Sequence, residues 1–308
     1  MSPNVAVVVL NWNQEVDTAD CLTSLSKVEG APLRVILVDN GSEQESIDRL
    51  ERRFPEILMI RLSENRGFAG GNNVGIERAL WDGASHILLL NNDTLVHPGF
   101  LTPLLEGLTA PGIGVVGPKI YCHPDATRLW FAGGRIDWRT GRQWHLGADE
   151  FDHGQRDTPL EVDYITACCL LAPARVFQEV GGLDERYFIY FEETDWNLRV
   201  RRLGYRCVYV PASRIWHKVS RAMKTGSPIS DYYYARNRLM FFRSHAPVPH
   251  RVRLITLYAA RSLRYAYTLR TQGHRQNAAA VWRGVIDFFA GRLGRCPVQF
   301  AQPPALPT

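Results

Sequence analysis

The stretch HILLLNNDT, residues 86–94, decides how the fold of this chain is interpreted. It opens with an uninterrupted apolar run, residues 87–90, which is typical of a strand buried on both faces of a parallel sheet. Such sheets bind ligands at the carboxyl ends of their strands, so Asp93 is a candidate oxygen ligand for Mg²⁺ or Mn²⁺. The alternative is that Asn91, Asn92 and Asp93 only form a turn.

Three similar apolar runs precede this stretch, at residues 5–10, 33–38 and 57–62. Segments of helical character separate them, and we predict a further helix over residues 72–81. Strands that alternate with helices predict an α/β fold with a mostly parallel central sheet. Farther along, we predict a buried strand over residues 163–171 and a last strand closed by Pro211.

All four of the early strands end in polar residues. Because the carboxyl ends of parallel strands meet at one edge of a sheet, we expect these clusters to converge in a polar ligand cleft. The candidate ligand-binding residues are Asn11, Asn13, Asp39, Asn65, Arg66, Gly67, Asn72, Asn91, Asn92 and Asp93.

Two of these clusters have a specific chemical use. Asp39 only accepts hydrogen bonds, so it suits the ring N–H of a uracil or thymine base, although it also fits a turn over residues 39–42. The glycine-rich residues 65–73 would let backbone approach a phosphate, and Arg66 would bind it. This segment lacks the Gly-Lys-Ser/Thr ending of a phosphate-binding P-loop, and no GxGxxG follows the first strand, which argues against an ATPase and a dinucleotide dehydrogenase.

Taken together, four motifs resemble the inverting, family 2 glycosyltransferases of GT-A fold, and most closely their rhamnosyltransferase branch. The resemblance covers roughly residues 4–220. The motifs are VVVLNWN at 7–13, VDNGS at 38–42, NRGFAGGNN at 65–73 and LNND at 90–93.

The resemblance implies a nucleotide-diphospho-sugar donor, with dTDP-L-rhamnose or another dTDP- or UDP-sugar as the leading expectation. It also implies a divalent metal, Mg²⁺ or Mn²⁺, at a DxD-type motif that reads Asn-Asn-Asp here, so that Asp93 binds the metal. By the same resemblance, Asp39 contacts the base and His217 completes the metal site.

An acidic cluster opens a predicted helix in the second half of the chain. Its carboxylates would compensate the helix dipole, and Asp195 is spaced to pair with Arg199. Crowded carboxylates also raise one another's pKa, which suits a general base. The resemblance implies that the second acid of this motif deprotonates the acceptor hydroxyl, which makes Glu193 the expected base and leaves Glu192 and Asp195 as alternatives.

The composition is that of an ordinary globular protein of 308 residues, 45% hydrophobic and 22% charged. The six cysteines are scattered without a CxxC pair, so we expect free thiols in a reducing cytoplasm and no zinc site. We predict neither a signal peptide nor a membrane-spanning segment.

Charge is distributed unevenly. Between Arg236 and Arg295 there are twelve arginines, no lysine and one acid, Asp287, so this segment carries +11 and the remainder −6. We divide the chain into a catalytic domain (1–230), a basic amphipathic helical extension (231–296) and a disordered tail (297–308). The extension either lies in the plane of an anionic membrane surface or forms a helical hairpin with a solvated arginine face. We expect no nucleic acid partner.

The expected acceptor is a glycan or a lipid-diphosphate-linked acceptor, and a lipid-linked one would explain peripheral attachment of this chain to the inner face of the membrane. Two other functions fit parts of the sequence. A sugar-phosphate nucleotidyltransferase would need an early glycine-rich loop with Arg and Lys, where this chain has Asn11-Trp12-Asn13. A non-catalytic protein of the same fold, binding a glycan or acting as a scaffold, would explain the missing first acid of the DxD motif.

Overall fold

The computed structural model describes residues 4–30, 32–218, 226–297 and 300. The chain divides into two compact units. The sheet unit comprises Met1–Ile136, Gln143–Leu183 and Glu193–Ser220, and the helical unit comprises Asp137–Arg142, Asp184–Glu192 and Arg221–Thr308.

Strands and helices alternate strictly in the first part of the sheet unit. The elements are β1 (Val5–Asn11), α1 (Glu15–Leu25), β2 (Leu33–Asp39), α2 (Gln44–Arg53), β3 (Leu58–Arg61), α3 (Gly67–Trp81) and β4 (His86–Asn91). The following part is less regular, with short strands between the longer ones. Its elements are β5 (Thr94–Val96), α4 (Leu101–Gly107), β6 (Ile113–Cys122), β7 (Leu129–Phe131), β8 (Gly134–Asp137), β9 (Arg142–His145), β10 (Leu160–Val162), β11 (Cys169–Pro173), α5 (Ala174–Val180), α6 (Glu192–Arg202) and β12 (Arg206–His217).

One ten-stranded sheet runs in the order β10-β12-β6-β11-β4-β1-β2-β3, with β5 paired to β12 and β7 paired to β6. Strands β4, β1, β2 and β3 are mutually parallel, whereas β11 runs antiparallel to both β4 and β6. Strands β8 and β9 form a separate two-stranded sheet. The predicted α/β fold is therefore confirmed, as a mixed sheet with a parallel half.

The apolar runs of the sequence form the center of this sheet. The side chains of β1 from Val5 to Val9 and those of β4 from Ile87 to Leu90 are buried. Full burial of each such aliphatic side chain contributes roughly 1.5–3 kcal/mol. The polar residues that end these strands are thereby held at one edge of a rigid core.

Most of the glycine-rich segment belongs to helix α3, which begins at Gly67 and not at the predicted residue 72. A Cβ atom at Gly71 would overlap the Leu10 side chain, and one at Gly75 would overlap Val8. These glycines therefore let α3 pack closely on β1. The predicted helix start at residue 72 was wrong, because glycines that allow close helix–strand packing give the same sequence pattern as glycines that allow a ligand to approach.

Two strand predictions also need correction. Only the end of the predicted strand at 163–171 is a strand, since β10 ends at Val162 and β11 begins at Cys169. The last strand does not stop at Pro211 but continues to His217, with an irregular register between Val210 and Arg214. Proline is accommodated at such bulges because the ladder hydrogen bond is already interrupted there.

The helical unit contains α7 (Pro228–His245), α8 (Val248–Thr271) and α9 (Arg275–Phe289). The Ser227 side chain caps α7 by accepting a hydrogen bond from the Ser230 amide. Within the described residues, every helix is too short or too polar to cross a membrane. The division of the chain at residues 230 and 296 stays a prediction. The predicted disordered tail lies outside the described residues except for Pro297 and Phe300.

Candidate active site

A chain of buried hydrogen bonds joins the ends of β1, β2 and β4. Asn11 Nδ2 donates to Asp39 Oδ1 at 3.0 Å and to Ser42 Oγ at 3.2 Å. The Thr18 hydroxyl, on α1, donates to Asn11 Oδ1 at 2.8 Å and accepts from Asn92 Nδ2 at 2.8 Å. The strand endings that were predicted to converge are therefore in direct contact.

The end of β3 joins the same edge through Asn40. Asn40 Nδ2 donates to Asn65 Oδ1 and to the Gly67 carbonyl, both at 3.1 Å. The Arg66 amide donates to Asn40 Oδ1 at 2.8 Å, and the Gly67 amide donates to Asn65 Oδ1 at 2.8 Å. All four predicted endings thus belong to one polar edge.

Asp39 is buried at this edge, where each carboxylate oxygen accepts one protein hydrogen bond. Asn11 donates to Oδ1, and the Ser42 amide donates to Oδ2 at 3.1 Å. The second bond is the turn contact that was the alternative role for Asp39. A carboxylate accepts about four hydrogen bonds in total, so the turn leaves capacity for a ring N–H of a bound base.

The remaining candidates at this edge differ in their surroundings. Asn13 has a left-handed backbone (φ 53°), and its Oδ1 accepts from the Glu43 amide at 2.9 Å. Asn72 is buried within α3 and donates to the Phe68 carbonyl at 2.9 Å, which is a bond inside the helix. Asn91 Oδ1 is buried and has no hydrogen-bond partner within the described part of the chain.

Asp93 and His217 are buried and face each other, with Nε2 of His217 3.1 Å from Oδ1 of Asp93. The antiparallel pairing of β5 with β12 places His217 opposite Thr94. The Lys218 amide also donates to the Asp93 carbonyl at 2.8 Å. The ring of Trp130 meets the His217 imidazole edge-on, with centroids 4.4 Å apart.

This donor pair fits a divalent cation. A carboxylate oxygen together with an imidazole nitrogen suits Mn²⁺ better than Ca²⁺. Their 3.1 Å separation is close to that of neighboring ligands around an ion with bonds of about 2.1 Å. Across residues 4–30, 32–218, 226–297 and 300, no cluster of three or more His, Cys, Asp or Glu side chains suits a metal.

The acidic cluster begins α6, where its members have different environments. The side chain of Glu193 is partly exposed as a whole, but its carboxyl group is buried, and this burial raises its pKa. Hydrogen bonds that the carboxyl accepts from Thr194 act in the opposite direction and lower the pKa. Asp195 accepts from Arg199 Nε at 2.8 Å, which confirms the predicted pair. Arg199 also donates to the Val180 and Gly182 carbonyls. Glu192 is buried.

Asn197 connects α6 to the segment before β11. Its side chain accepts from the Ile165 amide at 3.0 Å and donates to the Ile165 carbonyl at 2.9 Å. Farther along that segment, the Cys168 carbonyl accepts from the Asn91 amide at 3.0 Å. Helix α6 is thereby tied to the strand that leads to Asp93.

Sequence reasoning missed several residues that build this site. They share partners far away in the chain, and of the four only Ser42 lies within one of the quoted motifs. They are Thr18, Ser42, Trp130 and Asn197.

The sheet and its polar carboxyl edge define an α/β protein, and two solved structures share its fold. GalNAc-T7 with UDP, GalNAc and Mn²⁺ has a TM-score of 0.61 and 16% identity, over 76% of this chain and 47% of that one. The mannosyltransferase PcManGT from Pyrobaculum calidifontis, in complex with GDP-Man and Mn²⁺, has a TM-score of 0.57 and 14% identity, over 95% and 88%.

The chain belongs to glycosyl transferase family 2, whose model matches residues 6–181. An N-acetylglucosaminyl-diphospho-decaprenol L-rhamnosyltransferase of Mycobacterium tuberculosis is 27% identical over 77% of this chain and 83% of its own length. The dTDP-rhamnosyl transferase RfbF of Shigella flexneri is 23% identical over 80% and 83%. The resemblance to rhamnosyltransferase-like members of the family is therefore confirmed, and the protein is a glycosyltransferase.

Proposed function

We propose that this protein is a metal-dependent, inverting glycosyltransferase of cell-surface polysaccharide synthesis. It transfers L-rhamnose from dTDP-L-rhamnose, or a related sugar from a dTDP- or UDP-donor, to a hydroxyl of a glycan or lipid-diphosphate-linked acceptor. The observation that carries the proposal is the buried Asp93–His217 pair at the same sheet edge as Asp39. The names of the two rhamnosyltransferase relatives support the choice of sugar and acceptor.

Donor binding uses the carboxyl edge of the sheet. Asp39 accepts a hydrogen bond from the ring N–H of the thymine or uracil, and the Asn11 and Ser42 bonds hold its carboxylate in place. Arg66 binds the diphosphate. Asp93 and His217 would hold Mg²⁺ or Mn²⁺, and the charge of that ion would neutralize the nucleoside diphosphate leaving group.

Transfer requires a base on the acceptor side of the sugar. Glu193 takes the proton of the acceptor hydroxyl as its oxygen attacks the anomeric carbon. The bond from that carbon to the diphosphate oxygen breaks, and the configuration is inverted. Burial raises the pKa of Glu193, which makes its carboxylate a stronger base. Asp195 is already bound to Arg199, so Glu192 is the stronger alternative base.

An exposed apolar ridge on α9 supports contact with a membrane. Trp282, Ile286 and Phe289 are 47%, 48% and 65% exposed, on the face of α9 opposite its buried residues. Arg270 and Arg275 line the same surface as Trp282. Apolar side chains flanked by arginines fit the interface of an anionic bilayer. We place the enzyme at the cytoplasmic face of the membrane, where a lipid-linked acceptor would be reached.

The first experiment is a donor panel with the purified chain. Release of nucleoside diphosphate is recorded from UDP-, dTDP- and GDP-sugars with Mn²⁺, Mg²⁺ or EDTA, with and without a synthetic N-acetylglucosaminyl-diphospho-lipid. We expect metal-dependent release from dTDP-L-rhamnose that increases with the acceptor. No turnover together with no donor binding by calorimetry would contradict the proposal and favor a non-catalytic glycan-binding protein.

A further inference from the structure

Three aromatic residues just before α6 have a backbone conformation that bulky side chains rarely adopt. The φ angles of Phe188, Tyr190 and Phe191 are 67°, 69° and 75°, in the left-handed region. Such outliers persist only where the surrounding structure holds them, and they concentrate at functional sites. Here the strained segment ends directly at Glu192, the first residue of α6.

Asn237, in the middle of α7, holds this segment through its backbone carbonyls. Its side chain is fully buried, and Nδ2 donates to the carbonyls of Tyr187 at 2.9 Å, Ile189 at 2.7 Å and Tyr190 at 3.1 Å. Asn237 Oδ1 accepts from Arg236 Nε at 2.9 Å. The amide orientation follows from these partners, because carbonyls require the NH₂ group and guanidinium requires the oxygen.

Arg236 completes the same set of contacts. It is fully buried and donates through Nη2 to the Arg186 and Tyr187 carbonyls at 3.1 and 3.0 Å, and through Nη1 to Gly294 at 2.6 Å. The rings of Tyr232 and Tyr233 lie 5.2 and 5.0 Å from its guanidinium carbon. The buried guanidinium of Arg236 therefore donates its hydrogen bonds to backbone carbonyls and not to a ligand.

Aromatic stacking reinforces the backbone bonds. Phe188 stacks on Tyr233 with centroids 5.4 Å apart and an interplanar angle of 4°. Tyr190 stacks on Tyr234 at 4.3 Å and 18°. Helix α7 therefore holds Tyr190 through both its carbonyl and its ring, and Phe188 through its ring, with the flanking carbonyls of Tyr187 and Ile189 bound to Asn237.

We propose that Arg236 and Asn237 are positioning residues for catalysis. They hold residues 187–191 in the strained conformation and so set where α6 begins and how its first turn presents Glu193. This inference rests on the proposed role of Glu193 as the base. Without these bonds, the left-handed residues would relax toward ordinary conformations and the start of α6 would shift.

The test compares Asn237→Ala and Asn237→Asp with the wild-type chain in release of dTDP from dTDP-L-rhamnose with Mn²⁺. The aspartate variant keeps the shape of the side chain and its contact with Arg236, but it does not donate hydrogen bonds to the carbonyls. It therefore tests the proposal even if the alanine variant does not fold. Rates are normalized to donor-binding sites counted by calorimetry with dTDP. We expect kcat to fall at least about tenfold while the donor KM stays within about twofold.

Asn277→Ala is the matched control, because Asn277 Nδ2 makes comparable bonds to Gly226 O and Asp231 Oδ2 at 2.6 and 2.7 Å. It should leave both constants within about twofold of wild type. A normal kcat in Asn237→Asp, or an equal loss in Asn277→Ala, would overturn the proposal.

A double-mutant cycle separates this inference from the proposed function. When Glu193→Gln is already present, adding Asn237→Asp should cause little further loss of kcat, because both changes remove proton transfer to Glu193. Independent, multiplying losses would overturn the positioning role. Full activity of Glu193→Gln alone would instead overturn the assignment of the base.

Discussion

His217 Nε2 lies 3.1 Å from Asp93 Oδ1, although Asp93 follows β4 in the sequence and His217 ends the much later strand β12. The antiparallel pairing of β5 with β12 creates this contact, and the Lys218 amide on the Asp93 carbonyl extends it. The pair is buried, so its position is determined by the sheet and not by flexible surface side chains.

Removing either member of this pair should weaken metal binding. We expect Asp93→Asn and His217→Gln each to lower the affinity for Mn²⁺, measured with dTDP present by electron paramagnetic resonance, by at least about tenfold. His97→Gln, at an exposed histidine just after β5, is the control and should bind Mn²⁺ normally. Unchanged Mn²⁺ affinity in both site variants would exclude this pair as the metal site.

Substitution of the proposed base should affect turnover and not donor binding. Glu193→Gln should lower kcat about 10²- to 10⁴-fold while the dissociation constant for dTDP stays unchanged, because the amide cannot take a proton. Glu192→Gln and Asp195→Asn, prepared in parallel, test the alternatives. The assignment is refuted if either of them loses more turnover than Glu193→Gln.

The burial of Glu193 also predicts a pH-dependent cost in stability. Its pKa is raised in the folded state, so folding favors the protonated carboxyl. This favorable contribution is complete below the ordinary glutamate pKa of about 4.3 and is lost as pH rises through the raised value. Glu193→Gln stays neutral and should therefore unfold at a higher temperature than wild type at pH 8.

In thermal unfolding measurements, this difference between Glu193→Gln and wild type should shrink as the pH is lowered toward 4.5. Glu56→Gln, at an exposed position, should show no such trend. A stability difference that is constant between pH 8 and 4.5 would contradict the prediction.

The Thr18 hydroxyl should be necessary for the polar edge of the sheet. Thr18→Val keeps the side-chain shape but removes the partner of Asn11 Oδ1 and of Asn92 Nδ2. Each buried group left without its partner costs roughly 1–3 kcal/mol of unfolding free energy, measurable by urea titration. Thr23→Val, on the same helix, loses only a bond within that helix and should cost less. Equal costs would argue against the network.

The ridge on α9 should bind anionic membranes. The full chain should pellet with vesicles containing phosphatidylglycerol, less so in 0.5 M NaCl, because screening weakens the arginine contribution. Trp282→Ser combined with Phe289→Ser should reduce pelleting, whereas Trp81→Ser, at an exposed tryptophan of the sheet unit, should not. Absence of pelleting with anionic vesicles would refute the membrane contact.

Much of the fold and part of the site were predictable from short stretches of sequence. Local patterns include the apolar runs at β1, β2 and β4 and the polar residues that end these strands. Because buried strands of this kind are parallel, their polar ends were expected to meet at one edge of the sheet. The roles of Gly71 and Gly75 were not predictable, because a missing side chain serves a ligand and a neighboring strand equally well.

The sequence by itself thus determined the alternation of strands and helices, the polar edge and the family. Only the tertiary structure decided that β12 continues past Pro211 to bring His217 to Asp93. It alone also placed Asn237 on the carbonyls before α6. The physical reason is that side-chain periodicity encodes burial over a few residues, whereas these contacts depend on strand register and backbone hydrogen bonds between distant segments.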